Sequence, residues 1–325
     1  MSGAVLPTGE QWTLRHGDQE LVVVEVGGGI RSYARGGHDV VFGFGPQDEC
    51  SAGRGQLLMP WPNRVRDGRY SFGERDAQLA LTEPARHNAT HGLVRWAIWS
   101  VVEGSRAGSS AGSSGSGPSG SGEPVSSLTV GCKLRPQQGW RWSLDLSVSY
   151  VLGDEGLTVT PAAVNVGSGD APFGFGAHPY LTAGEERVDE LEVSIPAAAR
   201  LDVDDRLLPR QVVPVDGTDY DFRAPRALAQ TVLDTAYTQL RADSDGRWRV
   251  VLESPGTGRR ATLWGDAAAY PWLQVFSGDA LPASQVRRTG VAVEPMTCPP
   301  DALNSGQDLL TLAPGERFSA PWGIS

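Results

Sequence analysis

One histidine and several carboxylates stand where an acid–base site would need them. His178 closes the run Pro172-Phe173-Gly174-Phe175-Gly176-Ala177-His178-Pro179-Tyr180, in which glycines and aromatics alternate up to an imidazole followed at once by proline. That proline holds His178 in extended geometry, from which a side chain can project off a strand end into a cleft. The glycines let a ligand approach, and the aromatics offer stacking faces. Glu294 ends the apolar run Val291-Ala292-Val293, where an unpaired charge is costly to bury. Such a carboxylate is either the partner of an arginine or a group of tuned basicity. Asp234, in Val232-Leu233-Asp234-Thr235-Ala236-Tyr237, poses the same question. A lone histidine is more often structural than catalytic.

Two further clusters concentrate polar chemistry. In Pro60-Trp61-Pro62-Asn63-Arg64-Val65 two prolines bracket a tryptophan and make a rigid, non-helical ledge. An arginine on such a ledge can fork onto ligand oxygens, or pair with a carboxylate while Trp61 fills the core. In His87-Asn88-Ala89-Thr90-His91-Gly92 the H-x3-H spacing would suit a zinc pair on a helix. Gly92 and the β-branched, polar surroundings argue against that helix, so no metal is expected. Asn88-Ala89-Thr90 has the form of a glycosylation sequon, which carries no meaning without a secretory signal.

The elements that must position these groups are strands. Ser143 to Tyr150 alternates polar and apolar without a break, Gly153-Asp154-Glu155-Gly156 turns the chain, and Leu157 and Val159 begin the return. Similar short runs recur at 20–26, 69–72, 96–102, 127–134, 191–195, 248–252 and 272–276. Glycine (41) and proline (23) punctuate them at the spacing of a large antiparallel β-sandwich, an all-β fold. The one stretch with a hint of helical periodicity is 227–240. From 104 to 124, 15 of 21 residues are Gly or Ser, a composition that cannot offset its own ordering entropy. Because strand patterns flank it, this segment reads as a flexible insertion within a single domain spanning 1–325 rather than a lid or a tether between two.

Composition excludes several classes. The 325 residues carry 28 Lys+Arg against 38 Asp+Glu, a net charge of -10, which disfavours nucleic acid and anionic membrane as partners. No apolar stretch approaches a membrane span, and the first residues have neither a basic nor an apolar leader region, so a cytoplasmic location is expected. Cys50, Cys132 and Cys298 are odd in number and widely spaced, which suits reduced thiols rather than a disulfide framework. Lys133 is the only lysine, so Schiff-base catalysis is not expected.

Taken together, the chain resembles the aldose 1-epimerase (galactose mutarotase) family over nearly its whole length. The resemblance rests on Pro60–Val65 followed by Gly68-Arg69-Tyr70, on His91-Gly92, on Gly176-Ala177-His178-Pro179-Tyr180, and on Val293–Thr297 followed by Pro300-Asp301-Ala302, in the family's order. Leu181-Thr182 stands where many members continue Phe-Asn, and Leu93 follows His91-Gly92, differences that resemble a bacterial subgroup. The resemblance implies a galactose mutarotase-like supersandwich with a sugar site on a concave face. It implies His178 as general acid, Glu294 as general base, Arg64 and His91 on ring and hydroxyl oxygens, and Asp234 as acceptor from hydroxyls. Apart from the resemblance, Trp61 or Phe175 is expected to supply a stacking wall. A carboxylate base and an imidazolium acid on opposite sides of a hemiacetal would open and close a free hexose ring, with no cofactor, in a monomer or homodimer. Three alternatives stay open. One is a non-catalytic sugar binder. Another is a hexose-phosphate epimerase drawing on Arg31, Arg35, Arg66 or Arg95. The last is a glycosidase in which Asp234 and Glu294 form the carboxylate pair.

Overall fold

The computed structural model describes residues 5–102, 107–108, 125–184, 187–281 and 287–325. Nearly all regular structure among them is strand, gathered into two large antiparallel sheets that form a sandwich. The first sheet runs Gln11–His16, Gln19–Val24, Ile30–Arg35, His38–Val41, Tyr180–Leu181, Val291–Met296, Trp272–Phe276, Asp234–Leu240, Ala197–Val203 and Pro209–Pro214. Two short segments, Leu57–Leu58 and Gly176–Ala177, pair with each other, and the second also joins Val291–Met296. The second sheet is built around Val125–Leu134, Leu144–Gly153, Gly156–Asn165, Trp322–Ile324, Arg260–Asp266 and Arg247–Glu253.

The alternation of the sequence is the alternation of burial. Along Leu144–Gly153 every second residue from Leu144 to Leu152 is buried, and the hairpin at Gly153–Gly156 sets the register Leu144 opposite Asn165. Inward residues of both sheets merge into one core that contains Trp99, Trp140, Trp248 and Trp322 with essentially no exposure. No helix among the described residues is long and apolar enough to cross a membrane.

Three expectations are corrected or left aside. The helix hinted at in 227–240 does not form: Asp234–Leu240 is a strand between Ala197–Val203 and Trp272–Phe276. Its β-branched and aromatic residues suit a pleated surface, and pairing on both edges overrides a weak helical period. Of the run 96–102 only Ser100–Val101 is strand; the chain turns at Val94–Ala97 and leaves Trp96 and Ile98 exposed. The insertion at 104–124 lies outside the described residues except 107–108, which pair with Val125–Leu134.

Candidate active site

Val291–Met296 is buried along its whole length, which explains its apolar character. It lies between Tyr180–Leu181 and Trp272–Phe276, and register decides what meets Glu294. The residue opposite is Gln274; Gln274 in turn faces Ala236, and Phe276 faces Asp234. Side chains two apart share a face, so Glu294, Gln274 and Asp234 emerge together. Gln274 Nε2 donates to Asp234 Oδ1 at 2.6 Å, and its Oε1 accepts from Asn63 Nδ2 at 3.2 Å.

The ledge at 60–64 arrives over this face. Asn63 takes a left-handed conformation (φ 56°) and its Oδ1 accepts the Arg64 N–H at 3.0 Å. Strand Arg64–Arg66 pairs with Asn88–Thr90, and the His91 N–H donates to the Asn63 carbonyl at 2.8 Å. Gly92, at φ 72°, is required here, because a Cβ would lie 2.0 Å from the Met59 carbonyl oxygen.

His178 is clamped by backbone. Its N–H donates to Gln56 O at 3.0 Å, and its carbonyl accepts from Gly55 N at 2.9 Å. The Tyr180 ring stacks on the imidazole (5.2 Å between centroids, 15°), and its hydroxyl donates to Ala52 O at 2.9 Å. The His91 ring meets it edge-on at 5.6 Å. Gly53 closes the remaining side, since a Cβ there would sit 3.0 Å from His178 Cδ2.

His178 Nε2 lies 3.3 Å from Glu294 Oε1, with both side chains buried. The two groups are side by side, in contact, rather than facing each other across a ligand-sized gap as the sequence suggested. His178 Nδ1, Glu294 Oε2 and His91 Nδ1 are buried with no hydrogen-bond partner. Buried polar atoms are seldom left so, and the three residues that carry these line one cavity. That cavity is about 140 Å³, and Arg64, Asp234, Gln274 and Phe276 also line it.

Burial drives both members of the pair toward their neutral forms. It pushes the Glu294 carboxyl well above the usual range, Asp234 adds to the rise, and Arg64 opposes it. It pushes the His178 imidazole down to about 3, with Arg95 adding to the fall. His91 is lowered well below its ordinary value, first by burial and then by the charges of His178, Arg95 and Arg64. Burial alone would lower Arg64, but hydrogen bonding to Glu83 and the charges of Asp234, Glu83 and Glu294 outweigh it and raise the guanidinium.

Five expected residues thus share one cleft: Arg64, His91, His178, Asp234 and Glu294. Trp61 and Phe175 do not line it. Trp61 is 2% exposed and packs 6.3 Å from Trp140, while Phe175 is fully buried against Tyr270. A bulky ring between prolines or glycines is as readily a core plug as a stacking wall, and here tertiary packing takes both rings inward. The aromatics in the cleft are instead Tyr180 and Phe276. Gln274 and Asn63 were not foreseen; the signal available was a lone amide inside the apolar run Trp272–Phe276.

Of the other arginines considered, Arg66 pairs with Asp301, Arg35 hydrogen-bonds the Asp154 carbonyl, Arg31 donates to Phe44 O, and Arg95 sits beside Gln56; none lines the cleft. His87 is exposed at the end of a 3-10 turn, so the two histidines of H-x3-H are not on a helix. Among the described residues no group of three His, Cys, Asp or Glu could hold a metal. A larger cavity of about 780 Å³ beside Phe72, Arg141 and Trp142 contains no histidine.

Comparisons with known proteins bear on the family and the fold. A family model described as aldose 1-epimerase matches residues 10–325. The uncharacterized protein YihR of Escherichia coli is 32% identical over 310 residues, covering 95% of this chain and 91% of that protein. Among solved structures, a galactose mutarotase-like protein from Clostridium acetobutylicum superposes with a TM-score of 0.81 at 17% identity, covering 99% of this chain and 96% of its own. Galactose 1-epimerase from Lactobacillus acidophilus superposes with a TM-score of 0.77 at 20% identity, over 97% and 94% of the two chains. The chain belongs to the aldose 1-epimerase family.

Proposed function

From membership of the aldose 1-epimerase family, we propose that this protein interconverts the α and β anomers of a free hexose, with Glu294 as general base and His178 as general acid. The observation that carries the reading is the buried contact between His178 Nε2 and Glu294 Oε1, each group keeping a second polar atom unpartnered beside the same cavity. The anomeric carbon bears two oxygens, the ring oxygen and the hydroxyl. Neighbouring acid and base groups suit neighbouring oxygens better than groups across a gap would.

Glu294 takes the proton of the anomeric hydroxyl while His178 gives one to the ring oxygen. The bond between C1 and the ring oxygen breaks, and C1 becomes an aldehyde. Rotation about C1–C2 presents its other face, and closure returns both protons. The pair carries one proton throughout: at rest it sits on Glu294, it passes to His178 Nε2 across the 3.3 Å contact to give carboxylate and imidazolium, and ring opening returns the pair to carboxylic acid and imidazole. Burial favours the neutral state, while the positive charge of Arg64 favours the carboxylate of the charged one. Asp234, with one oxygen held by Gln274, keeps the other for sugar hydroxyls. Arg64 is the only arginine or lysine lining the cleft among the described residues, and Glu83 already engages it, which favours an uncharged sugar over a phosphorylated one.

The test is anomer interconversion of freshly dissolved α-glucose and α-galactose, followed by polarimetry or NMR above the spontaneous rate. Wild type accelerates at least one sugar, and Glu294→Gln and His178→Asn, each folded, lose about 10²-fold or more. A folded Glu294→Gln protein with wild-type rates overturns the assigned base. No acceleration of either sugar overturns the substrate as stated.

A further inference from the structure

The strongest unassigned feature behind the cleft is a carboxylate that the sequence did not single out. Arg64 Nε and Nη2 donate to Glu83 Oε2 and Oε1 at 2.9 and 3.1 Å, a two-pronged fork with both side chains mostly buried. Glu83 does not line the cavity, whereas Arg64 does. Arg64 Nη2 also stands 3.9 Å from Asp234 Oδ2.

Glu83 is itself held by a rigid bracket. Asn88 Nδ2 donates to its Oε2 at 2.9 Å and Arg86 Nη1 to its Oε1 at 3.1 Å. The backbones of Glu83 and Asn88 exchange both N–H donors around the 3-10 turn Pro84–Arg86. Arg206 ties the bracket to the body of the protein, donating to the carbonyls of Arg86 and His87.

We propose that Glu83 is the positioning residue for Arg64: the fork aims the guanidinium into the cleft, and the Glu83 charge limits how strongly Arg64 stabilises the Glu294 carboxylate. The proposal rests on the acid–base reading of the cleft. Its two halves are separable. A planar fork fixes direction as well as distance, so losing it releases Arg64 from its pose. A buried negative charge behind the guanidinium weakens the positive field at Glu294, and removing that charge makes Glu294 a weaker base. The groups that face Glu294 are His178, Asp234, Arg64 and Tyr180, with the His91 ring against His178. Those that face Glu83 are Arg64 and Arg86, with Arg206 and its partner Asp67 one step away through Asn88. Burial alone would raise the Glu83 carboxyl, but hydrogen bonding to Arg64 and Asn88 and the charges of Arg64 and Arg86 hold it below its ordinary value, so it is an anion in the working range.

The experiment compares wild type, Glu83→Gln and Glu83→Asp by pH–rate profile, with KM and kcat measured separately. Glu83→Gln keeps one oxygen to hold Arg64 in its pose and loses the charge, so the acidic limb moves to lower pH by on the order of one unit, and kcat at the plateau falls severalfold. In Glu83→Asp the charge is kept, so the limb stays in place while the shortened reach raises KM by about tenfold. A purely structural role would lower thermal stability in both variants and move neither limb. The carboxyl carbon resonance of Glu294 is titrated by NMR in the same proteins and needs no turnover. A lowered Glu294 pKa in Glu83→Gln alone supports the proposal even where no sugar is interconverted, a result that would count against the proposed reaction instead. An unchanged Glu294 titration in folded Glu83→Gln overturns it.

Discussion

At the scale of single residues, the site is a set of polar groups held dry. His178 illustrates the cost. An imidazole ordinarily titrating near 6.5 is driven to about 3 in the folded protein, so folding favours its neutral form. Its contribution to stability is fully present above pH 6.5 and is lost as pH falls from about 6.5 toward 3. His91 is lowered as well, with the same sign. Urea midpoints measured between pH 7 and pH 4 therefore fall steeply in wild type and less steeply in His178→Asn, whatever the variant's absolute stability. Equal slopes would mean that His178 carries its proton in the folded state. The proposed reaction would draw on the same desolvation, because a raised carboxyl gives a stronger base and a lowered imidazole a stronger acid.

At the scale of elements, the cleft forms where two loops meet one strand face. Strand register alone aligns Glu294, Gln274 and Asp234. Loop contacts bring the rest: the segment at 53–56 clamps His178, and the ledge at 60–64 with His91-Gly92 carries Arg64 and His91. Gly92 is the joint between the ledge and His91. Gly92→Ala introduces strain at φ 72° and a clash with the Met59 carbonyl, so it destabilises by about 1–3 kcal/mol. Because the displaced backbone carries His91, activity falls by more than the loss of folded protein accounts for. Thermal melts and kcat/KM on the same preparation separate the two effects; activity lost only in proportion to folded fraction would show that the joint merely supports the fold.

At the scale of the whole molecule, the two sheets divide the labour. His178, Glu294, Asp234 and Gln274 stand on or beside strands of the first sheet, and the second supplies much of the apolar core behind it. Trp248, on Arg247–Glu253 of the second sheet, is fully buried and donates through Nε1 to the Tyr270 carbonyl at 2.9 Å. Trp248→Ala opens a cavity there and costs about 3–5 kcal/mol of stability. The pH–rate profile of the surviving folded protein stays where it is, since no titratable group of the cleft loses a neighbour. A shifted profile would mean that the core behind the sheet sets the geometry of the pair.

Much of this was legible in the residues alone. Period-two burial follows directly from pleated geometry, so the strands 144–153 and 247–253 and the all-β class could be read from alternation. Chemically costly residues also announce themselves: a carboxylate in an apolar run and a histidine before proline both mark positions where burial needs a reason, and both line the cleft. What periodicity could not supply was partnership. Whether Trp61 and Phe175 face a ligand or the core, whether 227–240 coils or pairs, and whether Arg64 is held by Glu83 are all settled by contacts between residues distant along the chain. Local sequence sets which face of an element is apolar. Which polar atoms then meet on that face depends on register and loop path, and only the assembled sandwich decides those.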